Sequence, residues 1–286
     1  MLKSDALVLD QFLDPFPPKA AQLIVSIYGD IVEPRGGVLW MGDLIALCAR
    51  FGVNESLVRT AVSRLVSRNQ LSGERIGRRS YYGLTATARI EFHSAAELFF
   101  GPADGDCALV FLHQENESVQ EDLLRQGFAL VGGNLFVGSD RPGLKLSGAR
   151  FNVSSNADHN DTLGQRDYLR NVFQLESLSR KYDTFLHRYK QLENIHLSEL
   201  SGEMALTLRL ALVHSYRAIR YVDPRLPASV LSDDWSGTLA RDLFAEKYGR
   251  LSELADSYIG AHLHGRDGLL EACPAAVTER LSTIYP

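Results

Sequence analysis

No stretch of the chain approaches the roughly 20 consecutive apolar residues needed to cross a bilayer, so a membrane span is not expected. The first ten residues, Met1 to Asp10, are too short and too acidic for a signal peptide. Cysteine is scarce: Cys48, Cys107 and Cys273 are widely scattered and form no CxxC pair. That pattern argues against a disulfide framework and a structural zinc site, and it suits a cytoplasmic protein with reduced thiols. There is no set of nucleophile, histidine and acid at a telling spacing and no phosphate-cradling glycine loop, so neither an enzyme nor a bound cofactor is expected. Internal repeats and low-complexity tracts are missing as well.

What is present is ordinary globular material with an uneven charge. The chain has 286 residues, 45% apolar and 23% charged, enough for two or three domains at roughly 100–200 residues each. Its net charge of −5 argues against nucleic acid when taken whole. The distribution argues the other way. Between Arg50 and Arg89 lie arginines 50, 59, 64, 68, 75, 78, 79 and 89 against only Glu55 and Glu74. A basic island on an acidic chain suggests a local phosphate-binding face, with an acidic remainder that limits nonspecific adhesion.

The island coincides with a pattern of elements. Lys19 to Tyr28 reads as a helix with Ala20, Leu23, Ile24 and Ile27 on one face, and Pro34 to Gly37 breaks the chain. Gly42 to Phe51 is a second helix with Leu44, Ile45, Leu47 and Cys48 turned inward. Gly52-Val53-Asn54 is a tight turn ending in an N-cap. Glu55 to Asn69 is a third helix, with Leu57, Val58, Ala61, Val62, Leu65 and Val66 as its inner stripe. Its outer face carries Ser56, Arg59, Thr60, Ser63, Arg64, Ser67 and Arg68. Strands Leu71 to Ile76 and Ser80 to Leu84 flank Gly77-Arg78, a two-residue hairpin turn. Thr85 caps a helix that runs to about Phe100.

Further on, Asp106 to Leu112 reads as a buried strand and Ser118 to Gln126 as an amphipathic helix. Phe128 to Val131 and Leu135 to Val137 pair across Gly132-Gly133, and Ala149 to Val153 adds a strand, which makes a small α+β layer. Ser154 to Leu163 is polar and reads as a loop. Helices are expected at Arg166–Leu178, Lys181–Glu193, Gly202–Tyr221, Ser236–Gly260 and Pro274–Thr283. The expected fold class is therefore α+β. Its domains fall at 1–102, a winged helix-turn-helix that binds DNA, 103–160, an α+β middle domain, and 161–286, a helical domain for effector and dimer contacts.

Helix, short turn, helix and a glycine-tipped basic hairpin is the order of a winged helix-turn-helix. A recognition helix needs one apolar face for docking and one polar face with long donors for base edges. Arginine offers two parallel N–H groups to guanine O6 and N7, while Ser and Thr reach phosphates or either base. The expected DNA-binding residues are Asn54, Ser56, Arg59, Thr60, Ser63, Arg64, Arg68, Arg75, Arg78, Arg79, Ser80 and Tyr81. The competing reading, an ordinary solvated face, would have to place basic outer, apolar inner and hairpin residues at this spacing by chance.

Tyr28 to Gly37, Asn54 to Leu65 and Gly77 to Thr85 resemble the PaaX family of phenylacetate-catabolon repressors. So do Arg125-Gln-Gly-Phe-Ala-Leu130, Tyr182 to Leu186, His214-Ser-Tyr-Arg217, Asp223 to Pro227 and Trp235-Ser-Gly237, so the likeness covers nearly the whole chain. It departs at Ala129 to Phe136, where members carry an aromatic-rich stretch. The resemblance implies a homodimeric repressor of an aromatic-acid (phenylacetate) operon, bound to double-stranded operator DNA. It implies a Cas2-like, ferredoxin-type middle domain and a helical C-terminal domain. It further implies release by an acyl-CoA effector such as phenylacetyl-CoA. Alternatives remain: a winged-helix regulator answering to another small acid or thioester, or a metal-dependent nuclease. The nuclease needs an Asp at the end of the first middle strand, where His113-Gln114 follow Leu112.

Two weaker groups stand out. Tyr216, Arg217, Arg220 and Trp235, with Tyr221 and Arg225 nearby, are the expected effector-binding residues, since arginines beside aromatics suit the phosphates and adenine of a coenzyme A thioester. The competing reading has Tyr and Trp filling a helical core and Arg217 pairing with Asp223. His262-Leu-His264 invites a metal site with His187, His196 and Cys273, but i and i+2 on a helix do not share a face. A solvated helix end is the better reading, and no metal is expected.

Overall fold

A computed structural model describes residues 9, 11–13, 16–101, 108–141, 144, 146–152, 162–228, 230–231 and 234–284. It is a mixed α and β structure with a helical C-terminal region. Among the described residues no helix is long and apolar enough to cross a membrane. The chain forms two compact units, neither contiguous in sequence: one of residues 1–102, 185–218 and 242–286, the other of 103–184 and 219–241. Expected boundaries at 102 and 160, Cys107 and the start of the strand at Asp106 lie outside the described residues, as does most of the loop expected over Ser154 to Leu163, whose last two residues begin a helix instead.

The first unit opens with helix α1 (Ala20–Ile27). Where a break was expected at Pro34, helical turns continue instead, wide ones over Tyr28–Val32 and tight ones over Glu33–Arg35. Pro34 fits because it occupies the first turn of its own short segment, where the missing N–H is no loss. Strand β1 (Val38–Trp40), helix α2 (Met41–Ala49), helix α3 (Glu55–Ser67), strands β2 (Leu71–Ile76) and β3 (Arg79–Leu84), and helix α4 (Ala86–Phe100) follow. β1, absent from the sequence expectation, pairs antiparallel with β3 and makes a three-stranded sheet in the order β1-β3-β2. Leu23, Ile24 and Ile27 of α1, Leu44, Leu47 and Cys48 of α2, and Val58, Val62 and Leu65 of α3 share the buried interior. Two members of the expected inner stripe are on the outside: Leu57 is 53% and Val66 38% exposed. They flank the stripe at its edges, where a run wider than one helical face must spill over.

The rest of this unit, residues 185–218 and 242–286, includes most of helices α8 (Gly202–Arg220) and α9 (Ser236–His262) and all of α10 (Ala275–Ile284). Tyr216 stacks on Phe244 at 4.2 Å between centroids, and Phe244 and Tyr248 also meet Phe100 of α4. A buried ionic cluster lies in the same unit. Arg209 of α8 donates to Asp30 at 3.1 Å and Asp256 at 2.6 Å; Arg35 donates to the same Asp256 oxygen at 2.7 Å. Tyr248 donates to Asp30 at 2.8 Å, and Arg280 of α10 donates to the Asp30 carbonyl at 3.0 Å. Burying so many charges is costly unless each is paired, so the cluster fixes which helices meet. The expected solvated end at His262-Leu-His264 is exposed at His262 and half-buried at His264, which lies past the helix. After α9 a short hairpin forms, β8 (His264–Gly265) with β9 (Gly268–Leu269), and His264 donates its backbone N–H to Asp43 at 2.6 Å.

In the second unit, strand β4 (Ala108–His113), helix α5 (Glu117–Arg125), and strands β5 (Ala129–Gly132), β6 (Leu135–Asp140) and β7 (Ala149–Asn152) form a layer. Sheet order is β5-β6-β4-β7, with each neighbouring pair antiparallel. Val110, Leu112, Leu123, Phe128 and Phe136 make its core. Helices α6 (Thr162–Val172) and α7 (Leu175–Lys190, in this unit as far as Thr184) stand where helices were expected over Arg166–Leu178 and Lys181–Glu193, and the break expected after Leu178 comes earlier. The division falls at Gln174, whose φ of +51° interrupts the helix although its residue type signals no turn.

Candidate nucleic-acid interface

Helix α3 is placed by its start. Asn54 accepts a hydrogen bond from the Leu57 N–H at 3.0 Å, so this side chain is spent as the N-cap. Ser56, Arg59, Thr60, Ser63, Arg64, Ser67 and Arg68 are all exposed on one side of the helix. Arg59 pairs with Glu55 one turn back at 2.7 Å, and Thr60 donates to the Ser56 carbonyl. Both partners are solvent-exposed, and such pairs are worth under about 1 kcal/mol, so a competing anion displaces them readily.

Strands β2 and β3 turn through Gly77-Arg78, with Ile76 opposite Arg79. Gly77 has φ +60°, the left-handed conformation this tight turn demands. Arg75 donates to the Gly77 carbonyl at 3.3 Å and steadies the tip. Arg79 lies over the Trp40 ring at 4.6 Å, so its guanidinium is held beside the turn by a strand from the same sheet. Arg78 is exposed at the tip.

Between α3 and the hairpin runs a groove of about 450 Å³. Arg59, Ser63 and Val66 form one wall and Arg75, Ser80 and Tyr82 the other. Tyr81 does not join them: it is 7% exposed and faces the interior. Side chains alternate along a strand, so Ser80 and Tyr82 share the outer face and Tyr81 the inner one. That alternation was the available signal for Tyr82, which the sequence reading passed over. Arg266, at the tip of the β8–β9 hairpin, pairs with Glu74 of β2 at 3.0 Å and is the second residue it missed. No local pattern announces Arg266, because 192 residues separate the partners.

The expected effector residues are not gathered on an open surface. Tyr216 is buried under Phe244 and Phe185. Arg217 donates to the Gln22 carbonyl and to Ser26 Oγ of α1, at 3.3 and 3.1 Å. Within the second unit, Arg220 pairs with Asp223 at 3.2 Å, and Trp235 sits edge-on to Tyr182. Asp223 is thus engaged by Arg220 and by the Tyr182 hydroxyl. After β4, Gln114 ties its loop together by donating to the Ser147 carbonyl and accepting from Asn116 N–H. Among the described residues no group of three His, Cys, Asp or Glu side chains is placed to hold a metal.

Residues 19–88 match the family described as PaaX-like protein, and residues 173–261 match the one described as PaaX-like protein C-terminal domain. The transcriptional repressor PaaX of Escherichia coli (strain K12) is 30% identical over 279 residues, spanning 88% of this chain and 87% of that protein. Among solved structures, the uncharacterized protein Rv0674 from Mycobacterium tuberculosis is similar at a TM-score of 0.46 and 16% identity, over 76% of this chain and 89% of that one. That structural likeness is too distant to assign a fold or an activity.

Proposed function

This chain belongs to the PaaX-like family, and on that premise we propose that it is a DNA-binding transcriptional repressor with an N-terminal winged helix-turn-helix. One observation carries the reading. Seven polar or cationic residues from Ser56 to Arg68 are exposed along α3 and its C-cap, Arg59 and Ser63 among them share a groove with Arg75 of the hairpin that also bears Arg78 and Arg79, and the acids there, Glu55 and Glu74, are each already paired with an arginine. In this arrangement α3 enters the major groove, where Arg59, Ser63 and Arg64 meet base edges. The wing follows the backbone, with Arg78 and Arg79 at phosphates or a minor groove, and Arg266 extends that edge. Asn54 acts through the helix start, and Tyr81 contributes to the core.

The second unit supports a ferredoxin-type, Cas2-like reading of the middle region through its strand order, β5-β6-β4-β7, with antiparallel neighbours. The described residues between β6 and β7 contain no second crossover helix, which that type normally has. We assign this region to assembly rather than catalysis. The repressor acts as a homodimer in the cytoplasm on two half-sites about one helical turn apart. It is released by an acyl-CoA such as phenylacetyl-CoA, which lifts repression of a phenylacetate operon.

Binding of the full chain to a randomised duplex library, followed by footprinting of the selected sequence, tests the reading. The expected result is two protected half-sites and an affinity at least about 10³-fold above nonspecific duplex at the same salt. Equal affinity for all sequences would overturn it.

A further inference from the structure

Beside the turn that leads into α3 lies a cavity of about 480 Å³, within the size range of small-molecule sites. Phe12, Leu13 and Phe51 give it apolar walls, and Arg50, His214 and Ser215 supply the polar groups. Each polar group is held by another side chain. Ser215 shares a hydrogen bond with the Tyr189 hydroxyl at 2.9 Å, and His214 Nδ1 is 2.8 Å from Ser26 Oγ. Arg50 is anchored on α8 by Glu203 and by Thr207. One donor of this wall residue is left over: Arg50 Nε–H is buried and meets no acceptor among the described residues. A buried donor without a partner costs about 1–3 kcal/mol, which a ligand oxygen recovers.

We propose that this cavity is the effector site, taking an aryl or acyl group that carries an acceptor oxygen, a carbonyl or a carboxylate. The inference rests on the reading of the chain as a ligand-released repressor and moves its effector site from Tyr216, Arg217, Arg220 and Trp235 to the residues just before them on α8. The position explains how occupancy reaches DNA. Phe51 and Gly52 form the turn between α2 and α3, and Gly52, at φ +73°, lies so near Pro17 that an added Cβ would approach its ring to 3.3 Å. A ligand in the cavity therefore presses on both the N-terminal segment and the turn that aims α3. Glu203 and Thr207 hold Arg50 in the empty site, and an oxygen that recruits Arg50 loosens that tie to α8.

Hydrogen exchange of the full chain tests this, with phenylacetate, phenylacetyl-CoA and coenzyme A as separate probes. Phenylacetate or phenylacetyl-CoA, but not coenzyme A, should slow exchange in peptides covering Phe12–Leu13 and Phe51–Val53. Leu13→Trp and Ala211→Phe, which enlarge two side chains that line the cavity, should each weaken the same probe by about tenfold or more. Slowed exchange confined to Arg220–Trp235, no response to any probe, or undiminished affinity in both variants would overturn the proposal. Operator binding by the ligand-free wild type is measured alongside. Its loss would sink the repressor reading, while the exchange pattern still decides the site.

Discussion

The first unit uses arginine in two opposite ways. On α3 and the β2–β3 hairpin the arginines are exposed, and the acid that Arg59 contacts is itself exposed, while Arg79 rests on the half-buried Trp40 ring. At the centre of the same unit, Arg209 has a side chain only 1% exposed and lies between Asp30 and Asp256, with Arg35 and Arg280 closing the cluster. Burial opposes the charge on Arg209, yet Asp30, Tyr248 and Asp256 hold its pKa above the ordinary arginine value. Arg35 is driven down instead, first by burial and then by the neighbouring Arg209, with Asp256 and Asp30 offsetting part of the loss. The difference teaches that the count of arginines says little. An arginine whose counter-charge is buried with it belongs to folding; one whose counter-charge is weakly held in solvent is available to another polyanion.

The comparison breaks most visibly at Arg209. Arg209→Ala leaves Asp30 and Asp256 buried with too few partners and should cost about 3–5 kcal/mol, read as a shift of the urea midpoint with unchanged slope. A loss below about 1 kcal/mol, the size seen at exposed ion pairs, would place this arginine in the same class as those on α3.

High pH sharpens the same contrast. Burial, with Asp30 adding to it, pushes the Tyr248 hydroxyl from 10.0 up to about 12, and burial takes the Cys48 thiol from 9.0 to about 12. Both groups are neutral acids in the fold and ionise earlier in the unfolded chain, so the unfolded state binds fewer protons across that interval. Stability should therefore hold through neutral pH and fall from about pH 9–10 towards 12. Tyr248→Phe should make the fall shallower, though it also removes the bond to Asp30 and lowers the plateau. An unchanged profile would mean Tyr248 is not the group that titrates.

On the exposed side, Arg64→Ala should cost about 1–3 kcal/mol of operator binding and relax preference at one base pair in each half-site. Stability should stay within about 0.5 kcal/mol of wild type, as for other solvated positions. Uniform weakening on every sequence would make Arg64 a phosphate contact instead. The smallest effect belongs to Arg266→Ala, which should lower affinity at low salt without altering base preference.

How far each region can be read from sequence follows the same divide. α3, its Asn54 cap, the Gly77-Arg78 turn and the Thr85 cap of α4 arise from residues within a few positions of one another, where periodicity and turn chemistry act. The buried cluster does not. Asp30 and Arg209 are 179 residues apart, and Arg35 and Asp256 are 221 apart, so nothing local marks them as partners. One hint was present: Arg209 is the one charge in Ala205 to Val213, a stretch otherwise apolar but for Thr207, where a lone charge must either be paired or expel the helix from the core. The non-contiguous units have the same cause, because Phe185–Ala218 and Asp242–Pro286 join the N-terminal residues through contacts that no contiguous-domain reading can anticipate. In the candidate interface, strand alternation separates Tyr82 from Tyr81, whereas Arg266 comes from a hairpin of two-residue strands too short to leave a pattern.

The central claim is that the exposed arginines bind DNA and do not hold the fold together. Titrating wild type and an Arg78→Ala/Arg79→Ala double variant with the selected duplex over a range of salt, with thermal unfolding of each protein in parallel, tests it most directly. The double variant should bind specific and nonspecific duplex more weakly together, show a log K against log salt slope shallower by up to about two units per protomer, and unfold at a temperature close to wild type. A double variant that keeps the wild-type slope and affinity, or one that unfolds well below wild type, would contradict it.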